Sequence, residues 1–253
     1  ESIYRGMYQN DVAKGVPLVS DEVAALNRED WLRENLVATC PPLGAVYPTS
    51  VVQNPSTERN RRGVKEGDTP SWFYVLPTGL GDPGEPTWGG WGGRFEPIAG
   101  ALFQDAEDDH WSGSADVPLR RKWTVARWRA DYQNELAARA RWCTVGPREA
   151  NHPPRVVLVG PRRRGVRAGQ PLRLDARGTS DPDGQPLTFA WWVYREPSTW
   201  KEAVQLKDAD RNVATLVAPA VTKPETVHVV LTVTDAGTPP LVRYARVVVD
   251  VRP

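Results

Sequence analysis

The two halves of the chain differ in the spacing of their apolar residues. From residue 151 onward, short apolar runs such as "RVVLVG", "LTFAWWVYR" and "TVHVVLTV" are separated by turn-rich stretches such as "SDPDGQP" and "DAGTPP". In "TVHVVLTV" every second residue from Val227 to Val233 falls on one apolar face, and His228 falls on the other. This succession of alternating apolar segments and turns predicts that residues 151–253 form a β-sandwich with Trp191 or Trp192 in its core.

Residues 1–150 are predicted to be helical segments joined by long irregular loops. In "TVARWRADYQNELAARARWC" apolar residues recur at steps of three and four from Val125 to Cys143, which indicates one amphipathic helix. Asn27 in "LNREDWLRENL" is the expected N-cap of another helix. Since strands are scarce before residue 150, we interpret this half as the second part of an α/β domain. The boundary is expected in "GPREANHPPR".

Composition narrows the function classes. The chain has 32 Lys and Arg against 31 Asp and Glu, so no net field favours nucleic acid. No apolar run reaches the roughly 18 residues that a membrane span needs. Eleven tryptophans beside four phenylalanines indicate apolar surfaces that suit a ligand such as carbohydrate, although each single Trp is more often core. The chain starts at Glu1 with no leader, so any export signal has been removed or lies outside this sequence. We expect a secreted or periplasmic protein.

The two cysteines of the chain, Cys40 and Cys143, lie outside any CxxC or Cys/His spacing, which speaks against a zinc or redox motif. In an exported protein a disulfide between them would close a long loop. Two free thiols are an equally good interpretation of the sequence.

Acidic residues in the second half lie at predicted turns. Asp181 and Asp183 flank the turn in "TSDPDGQP", and Asp235 lies in "TDAG". Turn chemistry is the favoured explanation, because Asp and Gly are common in such loops. A calcium site built from their oxygens is the alternative.

The stretch "EPTWGGWGGRFE" holds Trp88 and Trp91 among four glycines and continues to Arg94. One hypothesis is a thin loop over a pocket, where Trp88 or Trp91 faces a sugar ring and Arg94 anchors the loop. The alternative is that both indoles fold inward and Arg94 pairs with an acid such as Glu96. The acidic run "DAEDDH", residues 105–110, is interpreted as a solvated loop.

Asp68 in "KEGDTPSWFYVL" precedes a predicted helix start. Thr69 and Pro70 suit the first positions of that helix, so Asp68 lies at its positive end. A carboxylate there can hold a metal or accept a bond from a ligand hydroxyl. An ordinary capping acid is the alternative.

Three groups of segments together resemble a bacterial family of cellulose-binding proteins. They are "RGVKEGDTPSWFYVLPTGLGDPGEPTWGGWGGRFE", "WTVARWRADYQNELAARARWC", and "NHPPRV" with "DPDGQPLTFAWWVYRE" and "DAGTPPLVRYARVVV". That family joins a nucleoside-hydrolase-like domain to a carboxy-terminal immunoglobulin-like domain. The resemblance implies that residues 1–150 are the carboxy-terminal part of the α/β nucleoside-hydrolase-like domain, and that residues 151–253 are the immunoglobulin-like sandwich.

The resemblance also implies site residues. Nucleoside hydrolases bind calcium and the sugar diol with an early aspartate cluster and a late aspartate, and Asp68 looks like the late one. The early cluster has no counterpart in this chain, and Gly67 stands where many relatives have a histidine. We therefore expect Asp68 as a candidate metal and diol ligand and the nearby Glu66 as a ligand-binding candidate. Calcium, the expected cofactor, should bind weakly or not at all without the early cluster.

Two functions follow as expectations. The first is a secreted, carbohydrate-interacting, cellulose-binding-like protein with a nucleoside-hydrolase-like sugar pocket. The alternative is a metal-dependent hydrolase of an N- or O-glycosidic bond whose aspartate cluster lies upstream. The expected partners are a carbohydrate or glycoside and the amino-terminal half of the same precursor. No catalytic residue is identified.

Overall fold

A computed structural model describes residues 12–13, 15–52, 60–64 and 68–253. The chain divides into two compact units. The first contains the described residues of 1–76 and 82–150, and the second contains 77–81 and 151–253.

The described residues of the first unit form short helices and three small antiparallel strand pairs. Its helices are α1 Asp21–Ala25, α2 Glu29–Leu32 followed by a π-helical turn Arg33–Val37, α3 Pro41–Gly44, α4 Thr69–Phe73, α5 Val117–Ala126 and α6 Arg129–Trp142. The pairs are β1 Val12–Ala13 with β2 Val16–Pro17, β3 Ser50–Val52 with β4 Asn60–Arg62, and β5 Phe95–Pro97 with β6 Phe103–Asp105.

The amphipathic segment before residue 143 is broken into two helices, contrary to the prediction of one. α5 ends at Ala126 and α6 begins at Arg129, and Trp128 between them lies outside helical geometry, with ψ at 8°. The apolar spacing runs through the break because Val125, Trp128 and Tyr132 are all buried. Spacing alone therefore did not reveal the interruption.

Asn27 is not the N-cap of α2, so the prediction that it caps this helix was wrong. Arg28 occupies the cap position, and its side chain makes no capping hydrogen bond. Asn27 is fully buried, and its side-chain oxygen accepts a 2.6 Å hydrogen bond from Gln133 Nε2 on α6. A contact across 106 residues of sequence thus replaces the expected local one.

The second unit is built from two sheets. The four-stranded sheet has the order β7-β13-β12-β9, and the three-stranded sheet has the order β10-β11-β8. All pairings are antiparallel except β13 with β7. The strands are β7 Arg163–Arg167, β8 Pro171–Asp175, β9 Leu187–Tyr194, β10 Gln205–Lys207, β11 Val213–Val217, β12 Glu225–Asp235 and β13 Val242–Arg252.

One apolar core joins the two sheets, as the alternating pattern predicted. It contains Leu174 and Leu216 from the smaller sheet with Trp191 and Val229 from the larger one. His228, on the opposite face of β12, is also buried. The central strands are therefore covered on both sides, which explains why their apolar runs are nearly continuous.

Residues 77–81 pack against β13 within the second unit. The backbone amide of Tyr244 donates a 2.9 Å hydrogen bond to the carbonyl oxygen of Thr78. Gly79 has φ of +86°, and a Cβ atom there would lie 2.0 Å from the Tyr244 carbonyl oxygen. Glycine is required at this position both by backbone conformation and by space.

The acidic turn residues of the second unit bind backbone amides. Asp235 Oδ1 accepts from the amides of Gly237 and Leu241, at 2.9 and 2.8 Å. Asp183 accepts from the backbone amide of His152 at 2.6 Å. These contacts fit the favoured explanation of turn chemistry.

Candidate functional site

A pocket of about 260 Å³ lies between α4 and α6 in the first unit. Four residues of α6 line it, and their spacing of three and four places them on one face of that helix. The opposite wall comes from α4 and the residues just after it. The lining residues are Thr69, Trp72, Phe73, Leu76, Tyr132, Glu135, Leu136 and Arg139.

The pocket combines an exposed indole with a fixed ion pair. Trp72 is 67% exposed. Arg139 donates two hydrogen bonds to Glu135 Oε1, from Nε at 2.9 Å and from Nη2 at 2.7 Å. Because the Glu135 side chain is only 6% exposed, this pair is held in a defined position. An apolar ring beside fixed polar groups is the usual composition of a small-molecule site.

Tyr132 and Phe73 form the back of the pocket. Their rings lie 4.8 Å apart, and the ring of Trp91 packs edge-on against both, at 6.4 Å from Tyr132 and 5.9 Å from Phe73. Burial raises the pKa of the Tyr132 hydroxyl, which therefore stays protonated.

Trp91 supports the pocket wall and does not face the pocket. Its side chain is 1% exposed. This geometry corresponds to the alternative in which that indole folds inward, and the role of Trp91 in binding stays an untested prediction. Trp88 is partly buried and is not among the lining residues, so its ligand-binding role also stays a prediction.

The glycines around Trp91 are needed for close packing. A Cβ atom on Gly92 would lie 2.6 Å from the Pro70 carbonyl oxygen and from the Tyr74 amide nitrogen of α4. Gly93 has φ of +105° and bridges to Gly90. The loop therefore needs glycine because it is wedged against the backbone at α4.

Arg94 anchors the loop through Asp108 and not through Glu96. Arg94 Nε donates a 2.6 Å hydrogen bond to Asp108 Oδ1, and Arg94 Nη2 donates to the Glu107 carbonyl oxygen at 2.7 Å. Asp108 Oδ2 accepts from Arg127 at 2.7 Å. Glu96 accepts instead from Gln104.

The acidic run at residues 105–110 is not simply a solvated loop, so that interpretation was wrong. Asp108 is fully buried, and Asp105 and His110 are 7% and 4% exposed. Burial lowers the pKa of His110. Two arginines neutralise Asp108, which allows the carboxylate to be buried.

Asp68 directly precedes the pocket-lining Thr69. It occupies the N-cap position of α4, its carboxylate is exposed, and it makes no capping hydrogen bond. Glu66 lies outside the described residues. Across the described ranges, no three His, Cys, Asp or Glu side chains are grouped so as to hold a metal ion. Calcium needs six to eight oxygens, so the described residues do not fit that ion unaided.

Arg129 extends the pocket face of α6 by one turn. It lies three residues before Tyr132 and seven before Leu136, and it is fully buried. Among the described residues, its three guanidinium nitrogens and the Tyr132 hydroxyl have no well-aligned hydrogen-bond partner, although Arg129 lies close enough to Tyr132 to influence its hydroxyl. A buried cation without an acceptor is costly. The sequence pattern missed this residue because arginine normally marks the solvent face of a helix.

Family models match both halves of the chain. The model described as "Cellulose-binding Sde182, nucleoside hydrolase-like domain" matches residues 1–95. The model described as "Cellulose-binding protein Sde0182, C-terminal domain" matches residues 171–251. Two regions therefore match two domains of one family in the expected order, and the resemblance to this family of cellulose-binding proteins is confirmed.

A solved structure supports the same assignment. A nucleoside hydrolase-related hypothetical protein from Saccharophagus degradans, described as associated with carbohydrate metabolism, is 29% identical with a TM-score of 0.70. The match covers 88% of this chain and 54% of that protein, so this chain spans about half of its relative's length. The first unit thus has a nucleoside-hydrolase-like neighbour.

Other comparisons add less. The solution structure of the PKD domain from KIAA 1837 protein matches 38% of this chain and 86% of that domain, at 22% identity and a TM-score of 0.28, and no conclusion rests on it. A search of curated proteins gives no match. Among the described residues, no helix is long and apolar enough to span a membrane.

Proposed function

We propose that this protein binds carbohydrate in the pocket between α4 and α6, with the indole of Trp72 stacked on a sugar ring. The proposal is carried by one observation, the 67% exposure of Trp72 beside a pocket that holds a fixed ion pair. Sugar C–H groups suit an indole face, and Glu135 and Arg139 offer an acceptor and donors to hydroxyl groups. The match to a cellulose-binding family supports carbohydrate as the ligand class.

Trp72→Ala is expected to weaken binding of a soluble cello-oligosaccharide about 5- to 30-fold, because the lost stacking area corresponds to about 1–2 kcal/mol. Isothermal titration calorimetry on the folded variant measures this change. Trp111→Ala is the matched control, since Trp111 is 50% exposed in the same unit and does not line the pocket. Equal affinity of the Trp72 variant and the unmodified protein would contradict the proposal.

The second unit is proposed to be an immunoglobulin-like accessory module, and the protein is proposed to be exported. Hydrolysis of a glycosidic bond remains the alternative activity. Asp68, which precedes the pocket-lining Thr69, and Glu66, two positions earlier in the sequence, are the candidates for the calcium and diol site. That activity requires further carboxylates, because Asp68 alone offers calcium too few oxygens.

The proposed protein partner is an amino-terminal region of the same precursor. Arg129 supports it, since this buried guanidinium has no carboxylate bound to it among the described residues, and a carboxylate from that region would neutralise it. The share of the Saccharophagus degradans protein left unmatched leaves room for such a region.

Arg129→Met is expected to stabilise this chain by about 1–2 kcal/mol, because it removes a buried charge that no carboxylate of the described residues neutralises. Urea unfolding measures the change. Arg139→Met on the same helix is the matched control and is expected to destabilise, since it leaves the buried Glu135 without its arginine. A destabilised Arg129 variant would show that the chain itself already neutralises Arg129 and would remove this support for the partner.

A further inference from the structure

The two cysteines meet in the fold although about 100 residues separate them. Cys40 precedes α3 and is 2% exposed, and Cys143 is exposed and directly follows α6. The neighbouring residues are joined, because Thr144 Oγ1 donates a 2.8 Å hydrogen bond to the Thr39 carbonyl oxygen. This bond fixes the segment after α6 against the segment before α3.

We propose that Cys40 and Cys143 form an intramolecular disulfide when the protein meets a small-molecule disulfide oxidant. The Thr39 and Thr144 contact brings the two chain segments together, and both cysteines belong to the same compact unit. The exposed thiol is accessible to an oxidant, and the buried thiol lies beside it as the resolving group. An accessible attacking thiol and a neighbouring resolving thiol are both needed to form one defined intramolecular disulfide.

The local electrostatics agree with two thiols in contact. The thiol of Cys40 interacts with that of Cys143, and this interaction is the main cause that raises the pKa of Cys143. A raised pKa lowers the thiolate fraction near neutral pH, so the reaction is expected to accelerate as the pH rises. The pair has the character of a structural bridge more than of a reactive redox centre.

The reaction with oxidised glutathione balances as two exchanges. The Cys143 thiolate attacks one sulfur of glutathione disulfide, and a glutathione thiolate leaves with the electron pair of the broken bond. The Cys40 thiolate then attacks Sγ of Cys143 and displaces the second glutathione. The protein loses two protons and two electrons, and one glutathione disulfide becomes two thiols.

The test incubates the purified chain with oxidised glutathione at mildly alkaline pH, followed by intact-mass measurement and thiol counting under denaturing conditions. The expected product is lighter by two hydrogen atoms, has no titratable thiol and stays monomeric on a non-reducing gel. Its melting temperature is expected to rise by about 5 °C or more, since the bridge restricts the unfolded chain. Dithiothreitol reverses both changes.

Two variants separate this proposal from simple thiol reactivity. Cys40→Ala is expected to stop at the mixed disulfide and gain the mass of one glutathione, whereas Cys143→Ser reacts little because its remaining thiol is buried. A stable mixed disulfide on the unmodified protein, a disulfide-linked dimer, or an oxidised form that melts no higher than the reduced one would overturn the proposal. The result does not depend on carbohydrate binding, so it leaves the proposed function untouched.

Discussion

Replacing Asp108 with alanine is expected to destabilise the first unit by about 3–5 kcal/mol, the usual cost of removing one partner from a buried ion pair. The Asp108 side chain is fully buried, and its partners Arg94 and Arg127 are 11% and 19% exposed. Without the carboxylate, two guanidinium groups in partly dry surroundings each lose a negatively charged acceptor. The loop that carries Trp91 also loses its anchor through Arg94.

Asp109→Ala provides the matched control. Asp109 is the next residue and also contacts an arginine, but its side chain is 50% exposed. An exposed ion pair contributes about 0–1 kcal/mol, so the control is expected to unfold near the unmodified protein. Urea unfolding of both variants gives the comparison. If both variants lost a similar free energy of unfolding, burial would not be what makes the Asp108 ion pair stabilising.

The Asp108→Ala change is expected to affect the proposed carbohydrate binding only indirectly, through the loop that supports the pocket. Arg94 holds the glycine loop, Trp91 packs behind Tyr132 and Phe73, and these two rings line the pocket. The affinity per folded molecule should therefore change less than the stability. This division of roles makes the tryptophan loop a support for the pocket.

The sequence predicted the β-sandwich better than the helical unit. In β12 the alternation from Val227 to Val233 directly reports which residues enter the core, because a strand has a period of two. The break at Trp128 left the helical spacing intact and so gave no signal. Asn27 was misassigned because a distant residue, Gln133, binds its side chain.

The sequence drew attention to a segment that borders the candidate pocket, but not to the residues that line it. The segment from Asp68 into α4 does border the pocket through Thr69 and Trp72. The sequence drew attention to Trp88 and Trp91, since glycines surround them, but those glycines reflect close backbone packing at Gly92. The exposure of Trp72 and the burial of Asp108 could not be predicted from local composition, because both depend on tertiary contacts.

The second unit is expected to lose stability as the pH falls from 6.5 towards 3, because of His228. Burial, followed by the positive charges of Arg246, Arg163 and Lys201, lowers the pKa of His228 to about 3. Arg246 Nη1 lies 3.1 Å from His228 Nδ1, which accepts a hydrogen bond while the ring is neutral. The unfolded chain takes up a proton near pH 6.5, and the folded chain does not.

The direction of the effect follows from proton uptake. Since the unfolded state binds more protons between pH 6.5 and 3, the free energy of unfolding decreases as the pH falls through this range. The full shift corresponds to about 4–5 kcal/mol, and about 2–3 kcal/mol of it is lost by pH 4.5. Arg177 lowers the pKa of Asp175 to about 2, so the stability that this carboxylate contributes is complete above pH 3.8 and is lost only as the pH falls from 3.8 towards 2.

Urea unfolding at pH 6.5 and at pH 4.5, followed by hydrogen exchange of peptides from β12 and β13, isolates this effect in the second unit. His228→Gln is expected to be less stable at pH 6.5, because it loses the bond from Arg246, and its stability should fall about 2–3 kcal/mol less between the two pH values. His152→Gln is the control, since His152 lies beside Asp183 and away from Arg246, and it should retain the fall. An unchanged pH dependence in the His228 variant would show that this histidine is not the group whose protonation destabilises the sandwich.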